Sequence, residues 1–163
     1  MADQHPIVEL STRHSRPGLV SLVAGMMLCA AAFIVAYWIT WFSGGRAWLA
    51  TSQASSYFAF ENAFPAGDVW LTITLLLGAI GLLRQRSWGL LCSLLAGGAG
   101  IYLGCVEVLF NLENNVYNFQ QGANVRAVIT AIAINVLIFA LSLTILRYAW
   151  RHRKWLLGSE LLV

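Results

Sequence analysis

Polar and apolar residues in this chain come in long blocks, not in the short periods of a half-buried strand or surface helix. Residues 1–18 are mainly polar and are broken by Pro6, Pro17 and Gly18. Four apolar runs follow, over about 19–42, 65–83, 88–112 and 127–146. A helix of roughly 20 apolar residues crosses the hydrocarbon of a bilayer, so each run predicts a membrane span. The first run is too long for a signal-peptide core and has no small-residue cleavage site close behind it. Short connections between the runs predict an all-α integral membrane protein, a four-transmembrane-helix bundle in up-down-up-down order. The transmembrane domain then covers 19–146, between an N-terminal tail at 1–18 and a basic C-terminal tail at 147–163.

Charge fixes the expected orientation. Ten residues are Lys or Arg. With both tails and the turn at 84–86 on one side, Arg13, Arg16, Arg84, Arg86, Arg147, Arg151, Arg153 and Lys154 share that side, and Arg46 and Arg126 lie opposite. The positive-inside rule places both termini in the cytoplasm, in a plasma or inner membrane. Trp41, Trp48 and Trp70 fall at the outer boundary and Trp88, Trp150 and Trp155 at the inner one, as an interfacial aromatic belt would.

Composition narrows the class. The 163 residues are 59% hydrophobic and 10% charged, with a mean hydropathy of +0.70. A soluble domain is about a quarter charged. The net charge of +3 comes from short clusters flanking the spans, which is a topology signal and not a nucleic-acid one. The expected partners are the bilayer itself and a membrane-protein partner or second copy. Cys29, Cys92 and Cys105 lie inside apolar runs without a CxxC pair, so thiol–disulfide chemistry is not expected. His5, His14 and His152 lie in the tails, which argues against haem in the bundle. No cofactor is expected beyond a divalent cation.

The chemistry concentrates at the outer end of the third span. Gly97, Gly100 and Gly104 form a small-residue packing face, with Ser93 below them. At 3.6 residues per turn, Glu107, Asn111 and Asn114 continue the stripe of Gly100 and Gly104. Glu107 is therefore expected to face the bundle, since a carboxylate facing lipid costs several kcal/mol. Asp68 suits a helix N-terminus, while Glu61, just before Pro65, has no such role. Glu61, Asp68, Glu107 and Glu113 gather on this side with Asn62, Asn111, Asn114, Asn115 and Asn118. Carboxylates and amide oxygens are the ligands of hard cations, so Glu107, Asn111 and Glu61 are the candidate metal ligands. The structural alternative pairs Glu107 with Arg126 or Arg46 while the asparagines cap the helix. Asn135, in the middle of the fourth span, is expected to hydrogen-bond across helices; its functional reading is a polar contact in a cavity between helices, shared with Thr72 or Thr74.

Three functions compete. The first is a binding or accessory protein whose outward-facing acidic and aromatic pocket receives a cation, lipid or small ligand. Its ligand-binding residues would be Glu107, Asn111, Glu61, Asp68, Tyr102 and Asn114. The second is a membrane enzyme using paired carboxylates, Glu107 with Glu61 or Asp68, on a lipid or isoprenoid. It lacks a nucleophile motif, an HExxH pair and a phosphate-binding glycine loop. The third is an oligomeric transporter or channel, for which the two halves show no convincing repeat. The binding function asks least of the chain, and no enzyme activity is assigned.

Overall fold

A computed structural model describes residues 18–50, 54–117, 119 and 125–157. Residues 1–17 of the expected N-terminal tail, residues 158–163 of the C-terminal tail, and Asn118 lie outside the described residues. The described chain is all-helical, without a strand. Helix α1, Val20–Thr40, runs into a π-helical turn, Trp41–Gly45, followed by α2, Arg46–Leu49. Then come α3, Ser55–Glu61; α4, Phe64–Leu83; α5, Ser87–Glu113; α6, Val125–Arg151; and α7, Arg153–Leu157. Four segments are long and apolar enough to cross a membrane: Val20–Gly45, Ser55–Leu83, Ser87–Glu113 and Val128–Arg151.

Local chemistry explains where these helices turn. Gly44 has φ 98°, a conformation that costs glycine little and other residues more, so the chain leaves α1 there. Pro65 stands at the start of α4, where its missing N–H costs nothing. The α4–α5 turn is a Schellman cap. Arg86 N–H donates to Gly81 O at 2.9 Å, Gln85 N–H donates to Leu82 O at 3.3 Å, and Gln85 takes φ 51°. The asparagine-rich end of α5 repeats that device. Val116 N–H donates to Asn111 O at 2.9 Å, Asn115 N–H donates to Leu112 O at 3.3 Å, and Asn115 takes φ 54°, which asparagine tolerates well. This cap folds Tyr117 back onto the helix it has just left. Helix α6 continues to Arg151, so Arg147 and Arg151 lie in its last turns, where cations complement the helix dipole.

Glycines set the spacing of the spans, because small residues let backbones approach where lipid offers no hydrophobic drive. A Cβ at Gly81 would strike the backbone of Gly89, which holds α4 against α5. Gly97 lies under Leu146 and the Ser142 carbonyl, Gly100 beside Ser142, and Gly104 beside Ile138 and Phe139. The small-residue face of α5 is thus its seam with α6. Met27, Leu75, Ala79, Leu82 and Ile145 fill the buried core. Helix α4 packs between α1 and α5, and α5 between α4 and α6, while α1 and α6 touch only sparsely. The spans form a curved row whose two end helices leave a gap.

Two tryptophans depart from the expected belt. Trp48 and Trp70 are exposed, but Trp41 is fully buried and donates Nε1–H to Asn62 Oδ1 at 3.2 Å. Trp155 is buried too, because α7 folds back against α5 and α6 and carries Trp155 and Leu156 into the core.

Candidate functional site

The gap between α1 and α6 is a cavity of about 630 Å³ that reaches α4 and α5 at its back. One end is acidic and aromatic. Tyr37 and Trp38 reach it from α1, Tyr57, Phe60 and Glu61 from α3, Phe64 and Asp68 from α4, and Glu107 and Asn111 from α5. The other end is apolar, lined by Met26, Ala30, Ile34, Leu75, Leu141 and Ile145.

Each carboxylate is held by a neutral donor. Tyr37 donates its hydroxyl to Glu61 Oε2 at 3.3 Å, and Tyr57 also hydrogen-bonds Glu61. Trp38 donates Nε1–H to Asp68 Oδ2 at 2.8 Å. Two consecutive residues of α1 therefore reach two carboxylates on either side of the α3–α4 turn. Asn135 donates Nδ2–H to Glu107 Oε1 at 3.3 Å from α6. The same amide nitrogen faces Tyr117 Oη at 3.1 Å and Ala131 O at 2.8 Å, and Asn111 Nδ2 donates to Tyr117 Oη at 3.1 Å. Among the described residues Asn135 Oδ1 is buried without a partner. Glu61 and Asp68 both act electrostatically on Glu107, and Asp68 on Glu61.

Aromatic rings close the acidic end. Phe60 stacks on Phe110 at 3.7 Å between centroids and meets Phe64 edge-on at 4.8 Å. Tyr37 packs against Trp38 at 5.1 Å and Trp41 at 6.0 Å. The Phe60 contacts tie α3, α4 and α5 together beside the carboxylates, and the Tyr37 contacts order the rings of the first span, in the edge-on and stacked geometries that ring quadrupoles favour.

Four of the sequence candidates, Glu107, Asn111, Glu61 and Asp68, come together on the cavity. Tyr102 does not. It is 69% exposed, because two residues from Gly100 and from Gly104 is about 200° around the helix, on the opposite face. Asn114 is exposed and donates Nδ2–H to Phe110 O at 2.9 Å, ending α5 instead of entering the site. Asp68 is the fifth residue of α4 and lies past its first turn, so its role is the contact with Trp38 and not a helix-end charge.

The expected pairing of Glu107 with an arginine is corrected. Among the described residues no ion pair joins them, and Arg126 and Arg46 are both exposed. Arg46 lies over Trp41 and Phe42, at 5.7 and 5.6 Å from the ring centroids. Arg126 stands nine residues before Asn135, roughly 13 Å along α6, too far along the helix to reach Glu107's level. Asn135 occupies that level. The hydrogen bond of Asn135 across helices goes to Glu107 of α5, while Thr74 donates its hydroxyl to Trp70 O and Leu71 O of its own helix. Among the described residues no group of three or more His, Cys, Asp or Glu could hold a metal ion.

Sequence reasoning missed Tyr37, Trp38, Tyr57 and Tyr117, the residues that hold the acids and amides. Phenols and an indole within or beside spans also signal interfacial anchoring, and nothing in the sequence distinguishes the two roles. Comparison with known proteins finds no matching family model, no matching curated relative and no matching solved structure.

Proposed function

We propose that this chain is a multi-pass membrane protein, crossing up-down-up-down with both termini in the cytoplasm, that binds a small organic cation at the acidic end of the cavity. One observation carries this: Glu61, Asp68 and Glu107 line that end, while among the described residues no Lys, Arg or His lines the cavity. Carboxylates withdrawn from water are costly unless an opposite charge or several hydrogen bonds compensate them. Here the donors are phenol, indole and amide, which satisfy lone pairs but leave the negative charge uncompensated. An ammonium group would supply one opposite charge, and aromatic rings favour cations. A bare divalent ion suits the site less well, because hard cations take six or more oxygens around one point.

The orientation rests on which ends of the helices carry the charge. Arg84, Arg86, Arg147, Arg151, Arg153 and Lys154 lie at the end opposite the carboxylates, and the positive-inside rule makes that end cytoplasmic. The acidic end then faces outward.

Calorimetry on the purified full chain in neutral detergent tests the binding function. Organic amines are expected to bind more tightly than neutral isosteres, and Glu107→Gln or Asp68→Asn to weaken binding at least tenfold with the fold retained. Equal binding of amines and isosteres overturns the proposal.

A further inference from the structure

The cavity continues well beyond its carboxylates, and its far part has a different chemistry. From Glu107 to Ala96 on α5, and from Tyr37 to Met26 on α1, the lining extends eleven residues, about 16 Å of helix. Over that length it is lined almost wholly by apolar side chains. The hydroxyl of Thr144 is already given to Ala140 O at 2.7 Å. A small hydrophilic cation held at the acidic end would leave this apolar length without a polar or an apolar partner.

The two end helices also leave the cavity open along its side. Phe33 of α1 and Leu137 of α6 both line it, yet they are 62% and 67% exposed. Both lie well inside their spans, so the opening between the sparsely touching α1 and α6 is at membrane depth. At the acidic end, Phe60 of α3 stacks on Phe110 of α5.

We infer that the ligand is a single-chain cationic amphiphile, its ammonium head on Glu61, Asp68 and Glu107 and its alkyl chain along the slot between α1 and α6, reached sideways from the bilayer. This rests on the proposed cation-binding function and names its substrate class. Charge complementarity fixes the head and the apolar lining fixes the tail. A volume of about 630 Å³ lies within the range of roughly 300–1,000 Å³ that holds one small molecule, so the tail is one chain.

The test uses the full chain in neutral detergent and a series of alkyltrimethylammonium ions from tetramethyl to dodecyl, with dodecanol as the uncharged match. Free concentrations are corrected for partition into micelles. Affinity is expected to rise up to about fourfold per added methylene, from ~0.8 kcal/mol per buried CH₂, until the slot is filled. Dodecanol is expected to bind at least tenfold more weakly than the dodecyl cation. Ala140→Phe puts bulk at an exposed position on the slot's edge and should flatten the chain-length dependence while tetramethylammonium binding remains. Ala30→Phe on α1 repeats that test from the other wall. If tetramethylammonium binds as tightly as the dodecyl ion, the inference fails and the cation-binding function stands. If no cation in the series binds, or dodecanol binds equally, both fail.

Discussion

Trp38 donates its indole N–H to Asp68 at 2.8 Å, joining the first span to the second across the edge of the acidic cavity. Replacing the indole by Phe removes the donor and leaves a part-buried carboxylate oxygen unsatisfied. Trp38→Phe is expected to cost about 1–3 kcal/mol in unfolding in detergent. The double variant with Asp68→Asn should lose less than the sum of the single changes, and a strictly additive cycle would show that the contact is not made.

Glu107 is held by an amide and not by an arginine, and the two arrangements respond oppositely to mutation. Arg126→Ala is expected to change stability by no more than about 0.5 kcal/mol, as an exposed surface substitution does. Removing the partner of a buried ion pair would instead cost about 3–5 kcal/mol. Asn135→Leu should cost about 1–3 kcal/mol, because Glu107, Tyr117 and Ala131 O all face its amide nitrogen. Chemical unfolding of both variants settles the assignment.

Glycine replacements along α5 should rank by what their Cβ meets. Gly98→Ala meets nothing within 4 Å and should be neutral or stabilise by up to about 1 kcal/mol through helix propensity. Gly100→Ala presses on the Ser142 hydroxyl and should cost about 1–3 kcal/mol. Ser142→Ala should recover most of that loss. Gly81→Ala meets the backbone of Gly89, which no side-chain change relieves, and should be the most damaging of the three. Melting temperatures in one detergent give the order.

Cys29 lines the cavity and is exposed, whereas Cys105 is exposed without lining it. A saturating dodecyltrimethylammonium ion is expected to slow alkylation of Cys29 by N-ethylmaleimide several-fold and to leave Cys105 unchanged. Peptide mass spectrometry reads both rates from one sample, and equal protection of the two thiols would place the amphiphile elsewhere.

The asymmetry of basic residues predicts a cytoplasmic C-terminus. A C-terminal fluorescent-protein fusion should be fluorescent and a C-terminal alkaline phosphatase fusion inactive in the same cells. Reversing the pattern would require moving charge, and Arg84→Glu with Arg86→Glu is the pair most exposed to that test.

The sequence alone determined that this is an all-helical chain with four apolar spans. Block hydrophobicity is a one-dimensional property, and a bilayer allows few structures besides helices to satisfy the backbone. Helical periodicity also placed Glu107 and Asn111 on the glycine-bearing side of α5, because i, i+3 and i+4 spacing follows from the helix itself. The same periodicity, carried to Tyr102, would have excluded it.

Only the tertiary structure decided which groups meet. Asn135 is far from Glu107 in the chain, and their contact depends on how far α6 slides along the glycine seam of α5. Trp38 and Asp68 meet through the crossing of α1 and α4, which no spacing within either helix encodes. The cavity arises because the row of spans does not close, a consequence of packing geometry along three seams. Span formation depends on each segment's exchange of water for lipid, which composition specifies. The site depends on side chains from five helices meeting within hydrogen-bond distance, and that is fixed only when the helices pack.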